Sequence, residues 1–199
     1  MEKELWFTLV SIAILWFGNF YYLRDILRWR SIPHPISYGI WFILISFNTY
    51  VLFLEREYYS FASWVFNSLT CLMFAGFGLY HYTKIERNWI DTICLILSIC
   101  LIMYWLWSRN TTFSVMLTVI IDAIASLPTL KKSWLQPWTE TLSLYFSSCI
   151  IAILTLLSLT MFTFETSIFW IYLILINLSI IIIGISRRYY LKGWKSLFE

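Results

Sequence analysis

The stretch TSIFWIYLILINLSIIIIGIS, residues 166–186, contains no charged side chain. An α-helix rises about 1.5 Å per residue, so about 20 apolar residues are enough to cross the roughly 30 Å of hydrocarbon in a bilayer. The stretch meets that requirement, and its length and composition predict a transmembrane helix.

Six further apolar runs of similar length precede this stretch along the chain. They cover residues 5–23, 37–54, 61–82, 88–107, 112–129 and 141–164. Helices are the expected form, because backbone groups in contact with lipid must be hydrogen-bonded within their own segment. A membrane β-barrel would instead show short segments of alternating polarity. The sequence therefore predicts an all-α membrane protein with about seven transmembrane helices.

The composition of the whole chain agrees with this class. Hydrophobic residues make up 60% of the 199 residues, charged residues make up 13%, and the mean hydropathy is +0.75. An ordinary soluble domain has roughly 45–50% apolar and about 25% charged residues. Membrane lipid is thus the expected partner of the outer faces. The net charge of +3, with no dense basic stripe, argues against nucleic acid as a partner.

Basic residues are divided unevenly between the two sides that seven crossings would create. One side consists of the loops after the first, third and fifth runs together with the C-terminal tail. It holds Arg24, Arg28, Arg30, Lys84, Arg87, Lys131, Lys132, Arg187, Arg188, Lys192 and Lys195, whereas the other side holds Lys3, Arg56 and Arg109. Basic residues concentrate on the cytoplasmic side of membrane proteins. We therefore predict an N-terminus outside the cell and a C-terminus in the cytoplasm.

Two stretches of the chain resemble each other, YYLRDILRWRSIPHPISYGIW at 21–41 and LPTLKKSWLQPWTETLSLYF at 127–146. Each runs from a helix end through clustered charges to a proline, then to a hydroxyl residue four positions on and an aromatic residue four further on. The matching residues are Pro33, Ser37 and Trp41 in the first stretch and Pro137, Thr141 and Tyr145 in the second. This repeat predicts a three-helix bundle at 1–87, a linker helix at 88–110, and a second three-helix bundle with a cytoplasmic tail at 111–199. A single linker helix gives both bundles the same orientation, as in transporters with parallel repeats.

The 3+1+3 helix count, the outside N-terminus and the two loops together resemble the PQ-loop and SWEET-like superfamily. The resemblance is greatest to its uncharacterised bacterial members of similar length, and nearly the whole chain takes part in it. It is carried by the stretches 22–28, 33–41 and 122–134, together with Pro137 and Glu140. It implies two bundles around a central pathway, transport of a sugar or another small metabolite, and a place in the bacterial inner membrane. The nicotinamide-riboside transporters share the architecture, but their tryptophan- and asparagine-rich substrate motifs are missing from this sequence.

The resemblance also implies roles for particular residues. In this superfamily a Pro-Gln pair near the inner end of the first helix of each bundle acts as a hinge. Here Pro128 is followed by Thr129, so the proline is kept and the glutamine is replaced, and the first bundle has no proline in that region. Pro128 is the predicted gating residue, with a simple helix terminator as the alternative. Substrate-facing asparagines lie on the third helix of each bundle, which points to Asn67 and Asn177.

Asp122 is the one ionisable residue deep within any of the seven predicted spans. It lies near the middle of run 112–129, roughly 15 Å deep at 1.5 Å per residue. A carboxylate at such a depth costs about 2.5–3.5 kcal/mol on insertion scales, and such residues usually serve ion or proton pathways. We therefore predict that Asp122 couples solute movement to a proton or controls a gate. A structural hydrogen bond to a neighbouring helix is the alternative.

The remaining candidates are polar or aromatic residues within the apolar runs. Asn67 and Asn177 are predicted to contact the solute, although an asparagine can equally join two helices. Asn48 lies seven residues after Trp41, so the two share one helix face that lines the predicted pathway or packs on another helix. Trp41 and Tyr145 either contact the solute or anchor the helices at the membrane interface.

The sequence contains no arrangement typical of an enzyme. No Ser/His/Asp arrangement, HExxH motif or glycine-rich phosphate loop is present, and a membrane enzyme ranks third among the hypotheses. We expect no catalytic residue, no cofactor and no metal site. The predicted function is that of a small-solute transporter or facilitator that works by alternating access between the two bundles. A non-transporting membrane scaffold or accessory subunit is the second hypothesis, and assembly into a homo-oligomer is open.

Overall fold

The computed structural model describes residues 2–28, 33, 35–80, 89–135, 137–139 and 141–192. Across these ranges the chain is helical and contains no strand. The helices are α1 (Glu2–Leu27), α2 (Pro35–Leu54), α3 (Tyr58–Tyr80), α4 (Trp89–Ser108), α5 (Thr111–Leu135), α6 (Leu142–Ser158) and α7 (Phe164–Lys192), with a 3-10 turn at Pro137–Thr139. The prediction of an all-α chain is confirmed.

Several of these helices have the length and polarity of membrane-embedded segments. Five are long and apolar enough to cross a bilayer: Leu5–Leu27, Pro35–Leu54, Tyr58–Tyr80, Thr111–Leu135 and Phe164–Leu191. Two shorter apolar helices are Leu95–Ser108 within α4 and Leu142–Ser158. Large apolar side chains project from the surface, among them Trp6 at 67% exposure and Trp16 at 64%. Apolar side chains of this size are stable in contact with lipid tails, which agrees with a membrane-embedded protein.

Two helix boundaries differ from the predicted spans. The run 112–129 belongs to a helix that continues beyond Pro128 to Leu135, because a helix persists past the hydrocarbon layer into polar sequence. Hydropathy marks the apolar part of a helix and not its end. The run 141–164 corresponds to a helix that ends at Ser158, since Leu159 is extended with φ −60° and ψ 134°.

The start of α7 explains why that second boundary falls so early. Thr163 and Thr166 cap the helix reciprocally: the backbone N–H of Thr163 donates to Thr166 Oγ1 at 3.0 Å, and the N–H of Thr166 donates to Thr163 Oγ1 at 3.2 Å. Such pairs satisfy backbone donors that have no partner within the helix. The chain from Leu159 to Thr163 is therefore a loop between two helices, although its composition is apolar.

The main helix contacts follow one pattern in the first and last parts of the chain. Helix α3 packs on both α1 and α2, and α7 packs on both α5 and α6. Helix α1 packs against α6, while α2 packs against α5. Helix α4 packs on α5 and α2. Six of the seven helices thus surround one central region, and α4 lies beside it.

Candidate functional site

A cavity lies in the central region among α1, α2, α3, α5, α6 and α7. The centre of a water-sized sphere can occupy about 70 Å³ of this cavity. One buried water needs roughly 10–15 Å³ measured in the same way, so the cavity has room for several. Its lining is mixed aromatic, aliphatic and polar. The lining residues are Asn19, Tyr38, Trp41, Ile45, Trp64, Asn67, Thr70, Cys71, Phe74, Asp122, Ser126, Leu144, Tyr145, Ser148, Phe169, Leu173, Ile176, Asn177 and Ile180.

Five residues singled out from the sequence meet at this cavity, although they come from five different helices. They are Trp41 on α2, Asn67 on α3, Asp122 on α5, Tyr145 on α6 and Asn177 on α7. Their roles in solute contact and coupling stay predictions. The structure supplies the proximity that those roles require.

Asp122 is 3% exposed and lies on the cavity wall. The side chains of Tyr172, Trp41 and Ser126 are within reach of hydrogen bonding to its carboxyl group. An indole N–H can only donate a hydrogen bond, so Trp41 requires an acceptor such as this carboxyl oxygen. The Tyr172 hydroxyl is buried without a hydrogen-bond partner at normal distance in the described structure, and the Asp122 carboxyl is the acceptor that it faces.

Two of the three asparagines on the cavity wall, Asn67 and Asn177, do not join neighbouring helices through their side-chain amides in the bonds that the structure describes. The Asn177 side-chain amide donates to the Leu173 carbonyl at 2.7 Å, within its own helix. The Asn67 carbonyl accepts from Thr70 Oγ1 at 2.8 Å, and Thr70 in turn accepts from Asn19 Nδ2 at 3.4 Å. Asn19 thereby links α1 to α3 at the cavity wall. The geometry leaves acceptor oxygens of the amides available to a solute.

Asn48 lies outside the cavity lining and joins two helices. Its side-chain amide donates to the Leu44 carbonyl at 2.9 Å and to Thr118 Oγ1 on α5 at 3.1 Å. Only 2% of the residue is exposed. Asn48 thus makes the helix-packing contact that is the alternative to its predicted solute contact, because its side chain points from α2 toward α5. The side chain of Pro128, the predicted gating residue, lies outside the described part of the structure, although its backbone is helical.

Near one end of the cavity, a set of polar contacts joins α3 and the turn before it to α6 and the loop after it, and we call this set the polar zipper. It consists of Glu57 with Thr160 and Met161, Ser60 with Ser158, and Trp64 with Thr155. The Glu57 carboxylate accepts from the Thr160 N–H at 2.9 Å, the Thr160 hydroxyl at 2.7 Å and the Met161 N–H at 2.8 Å.

The polar zipper continues into a pair of tryptophans. Ser60 and Ser158 hydroxyl oxygens are 2.7 Å apart, and the Trp64 indole donates to Thr155 Oγ1. Trp64 also stacks on Trp170 of α7, with ring centroids 4.1 Å apart and an interplanar angle of 26°. Both tryptophans are fully buried. Contacts at this end of the cavity therefore join α3 to α6 and to α7.

The opposite end carries an aromatic cluster, defined here as Tyr22, Tyr38, Trp41 and Phe74. The ring of Phe74 lies 4.9 Å from Tyr22 and 5.4 Å from Tyr38, measured between centroids. Trp41 meets Tyr38 edge-to-face at 5.1 Å. All four residues belong to α1, α2 and α3. These ring contacts hold the three helices together.

Sequence reasoning missed the polar zipper and the tryptophan pair. Glu57 reads as an ordinary loop charge, and hydropathy does not reveal which face of α3 meets which helix. Trp64 and Trp170 occupy the same position when counted from the first residues of α3 and α7, Tyr58 and Phe164, but these helix starts are known only from the structure. Among the described residues, no group of three or more His, Cys, Asp or Glu is placed to hold a metal ion.

Comparison of the chain with protein-family models, with curated proteins and with solved structures finds no match.

Proposed function

We propose that this chain is a small-solute transporter or facilitator whose solute passes through the central cavity. The observation that carries the proposal is the cavity itself. It lies among six helices, and its lining includes Asn67, Asn177, Asp122, Trp41 and Tyr145. A few polar groups converging on an otherwise apolar pocket are typical of small-molecule sites. No covalent chemistry is required of such a site.

The pathway belongs, in this proposal, to a 3+1+3 arrangement of two parallel bundles at 1–87 and 111–199, joined by a linker helix at 88–110. The helix contacts support it. If α1, α2 and α3 are taken as equivalent to α5, α6 and α7, the α1–α6 contact corresponds to the α5–α2 contact. The α2–α3 contact likewise corresponds to the α6–α7 contact. Helix α4 falls outside this exchange, as a linker would. The seven-span count follows if α4 and α6, shorter but apolar, also cross the membrane.

Equivalent residues support the repeat independently of the helix contacts. Gly78 and Gly184 occupy the same position in α3 and α7, counted from the first residue of each helix. A Cβ at Gly78 would lie 2.6 Å from the Pro33 carbonyl oxygen, and one at Gly184 would lie 2.8 Å from Leu142 Cδ2. Both glycines thus permit close approach of the chain segment that begins the second helix of the same bundle. Equal spacing and equal packing are expected of a duplicated bundle.

Orientation follows from the basic residues. With the N-terminus outside and the C-terminus in the cytoplasm of a bacterial inner membrane, the polar zipper lies at the outer side, because it involves the α2–α3 and α6–α7 connections. The structure then corresponds to a state closed toward the outside. Alternating access requires that α3 and α6 separate and break the zipper while the cytoplasmic ends of the helices approach one another.

Asp122 is the proposed coupling group of this cycle. Its carboxyl can exchange a proton when the cavity opens to water, and intramembrane carboxylates often act in this way. The titratable groups that interact with it are Tyr172 on α7 and Cys71 on α3. No Lys, Arg or His lines the described cavity, so no fixed cation neutralises the carboxylate.

An uptake screen tests the proposal directly. The purified chain in liposomes is offered sugars, nucleosides, vitamins and amino acids, each at an inward gradient. We expect saturable uptake of at least one class and no uptake by protein-free liposomes. Absence of uptake for every class, with the chain shown to be folded and inserted, would contradict the proposal.

The polar zipper also favours a second candidate, a rigid membrane scaffold. Hydrogen bonds from Glu57, Ser60 and Trp64 across to α6 would hold a static assembly as well as a closed gate. A scaffold has no need of an accessible cavity. Labelling of the cavity wall by a water-soluble reagent therefore separates the two candidates.

A further inference from the structure

The central cavity has an uneven charge distribution. Asp122 is the only acidic residue on its described wall, and that wall includes no Lys, Arg or His. Two described arginines have partners outside the cavity lining: Arg24 pairs with Asp25 at 2.9 Å, and Arg188 donates to the Pro137 carbonyl at 2.8 Å. An anionic solute would meet only like charge in this cavity. A cationic solute would meet a buried counter-charge.

The carboxyl group of Asp122 faces the cavity. Three side chains that can donate to it, those of Trp41, Tyr172 and Ser126, lie beside it on α2, α7 and α5. The Tyr172 hydroxyl makes no hydrogen bond at normal distance in the described structure. An ionised carboxylate has about four acceptor positions, so positions remain for a donor or a cation that enters from the cavity.

Aromatic rings line the cavity that this carboxyl group faces. Trp41, whose indole reaches Asp122, lines the cavity together with Tyr38 and Tyr145. The faces of tryptophan and tyrosine attract ammonium groups within about 6 Å, and aromatic walls are the usual recognition device for quaternary ammonium ions. A carboxylate beside such rings forms a site for an organic cation, whereas a sugar would use the rings and amides without needing the charge.

We propose that the cavity takes a small organic monocation, an amine or a quaternary ammonium ion, held by the Asp122 carboxylate and the ring of Trp41. This inference rests on the proposed transport function and names its solute class. The cavity limits the solute to a compact molecule, because the centre of a water-sized sphere can occupy only about 70 Å³ of it. Cation binding and protonation then compete for one carboxyl group, so binding of the cation weakens as the pH falls.

The test compares two probes of the same shape that differ in charge. Choline carries a quaternary nitrogen, and 3,3-dimethylbutan-1-ol replaces that nitrogen with carbon. Binding of each to the purified full chain in detergent is measured by calorimetry. We expect choline to bind at least about tenfold more tightly, which corresponds to about 1.4 kcal/mol. Glu55→Gln provides the matched control, because Glu55 lies in the α2–α3 turn outside the cavity lining.

Variants of Asp122 decide the role of its charge. Asp122→Asn should reduce the preference for choline to less than threefold, Asp122→Glu should retain it, and Glu55→Gln should leave it unchanged. Equal affinity for both probes in the unmodified chain would overturn the proposal, and so would an undiminished preference in a folded Asp122→Asn variant. Uptake of a neutral solute without any choline binding would overturn the cation inference but leave transport standing. Absence of both uptake and binding would overturn the proposed function itself.

Discussion

The two ends of the cavity differ in chemistry. At one end the polar zipper joins α3 and the turn before it to α6 and the loop after it, through Glu57, Ser60 and Trp64. At the other end the aromatic cluster packs α1, α2 and α3 on one another through rings such as Tyr22 and Phe74. Hydrogen bonds near a membrane surface can be exchanged for bonds to water, whereas packed rings lose their contacts when they separate. The zipper is thus suited to break in a transport cycle, and the aromatic cluster is suited to move as a unit with its three helices.

The largest effect is expected from fixing the zipper in its closed state. Ser60→Cys with Ser158→Cys, made in a background whose native cysteines are replaced by alanine, brings two thiols to positions whose hydroxyl oxygens are 2.7 Å apart. Oxidation should abolish solute uptake, because α3 and α6 can no longer separate, and a reductant should restore it. Uptake is measured in liposomes before and after each treatment.

A matched cross-link within the first three helices provides the control. Ser46 and Ser68 are hydrogen-bonded to each other between α2 and α3. Oxidation of Ser46→Cys with Ser68→Cys should leave uptake nearly unchanged, because these helices move together. Equal inhibition by both cross-links would contradict the distinction between a moving and a rigid region. Full activity of the oxidised Ser60–Ser158 pair would show that the zipper does not open.

A large but more selective effect is expected at Asp122. Asp122→Asn keeps the shape and polarity of the side chain and removes its titration. The dependence of uptake on pH should disappear, while the variant remains folded and inserted. Uptake by this variant is compared with that of the unmodified chain between pH 5 and 8, the interval in which a coupling carboxyl would be detected. If the pH profiles of the two proteins coincide in shape, Asp122 is a structural hydrogen-bonding residue.

The smallest effects separate two asparagines that the sequence alone does not distinguish. Asn177→Ala should lower uptake by about tenfold, or about 1.4 kcal/mol, with a stability change below about 0.6 kcal/mol. Asn48→Ala should show the reverse, a loss of about 1 kcal/mol in stability with normal uptake per folded molecule. The reason is that Asn48 joins α2 to α5, whereas Asn177 lines the cavity.

Thermal unfolding in detergent and uptake in liposomes are measured for both variants. Parallel losses of stability and uptake in Asn177→Ala would assign that residue to helix packing. A selective loss of uptake in Asn48→Ala would place it on the pathway, against its position in the structure.

The helical class and much of the cavity wall are predictable from the sequence because both depend on local patterns. Long apolar runs give the helices, and a lone carboxyl or amide in such a run must find a polar environment. That rule brings Asp122, Asn67 and Asn177 to the cavity. The same rule does not specify which neighbour satisfies the side chain, and for this reason Asn48 is equally compatible with the pathway and with α5 until the packing is known.

The polar zipper depends on information that hydropathy lacks. Glu57 follows an arginine in a short turn and resembles a solvated loop residue, yet it is only 2% exposed because the N–H groups of Thr160 and Met161 reach it. Composition alone likewise predicts a span where the apolar loop before Thr163 lies, because its conformation is decided by the cap of α7. Contacts between residues far apart in the chain determine both features.

The central claim is that one cavity is reached from alternate sides of the membrane. Asn177→Cys, in the background without native cysteines, is exposed to a membrane-impermeant thiol reagent from each side of oriented vesicles. We expect the thiol to react from the cytoplasmic side, and to react from the outer side only when Glu57→Ala breaks the zipper. Failure of the thiol to react from either side, with or without Glu57→Ala, would contradict alternating access to the cavity.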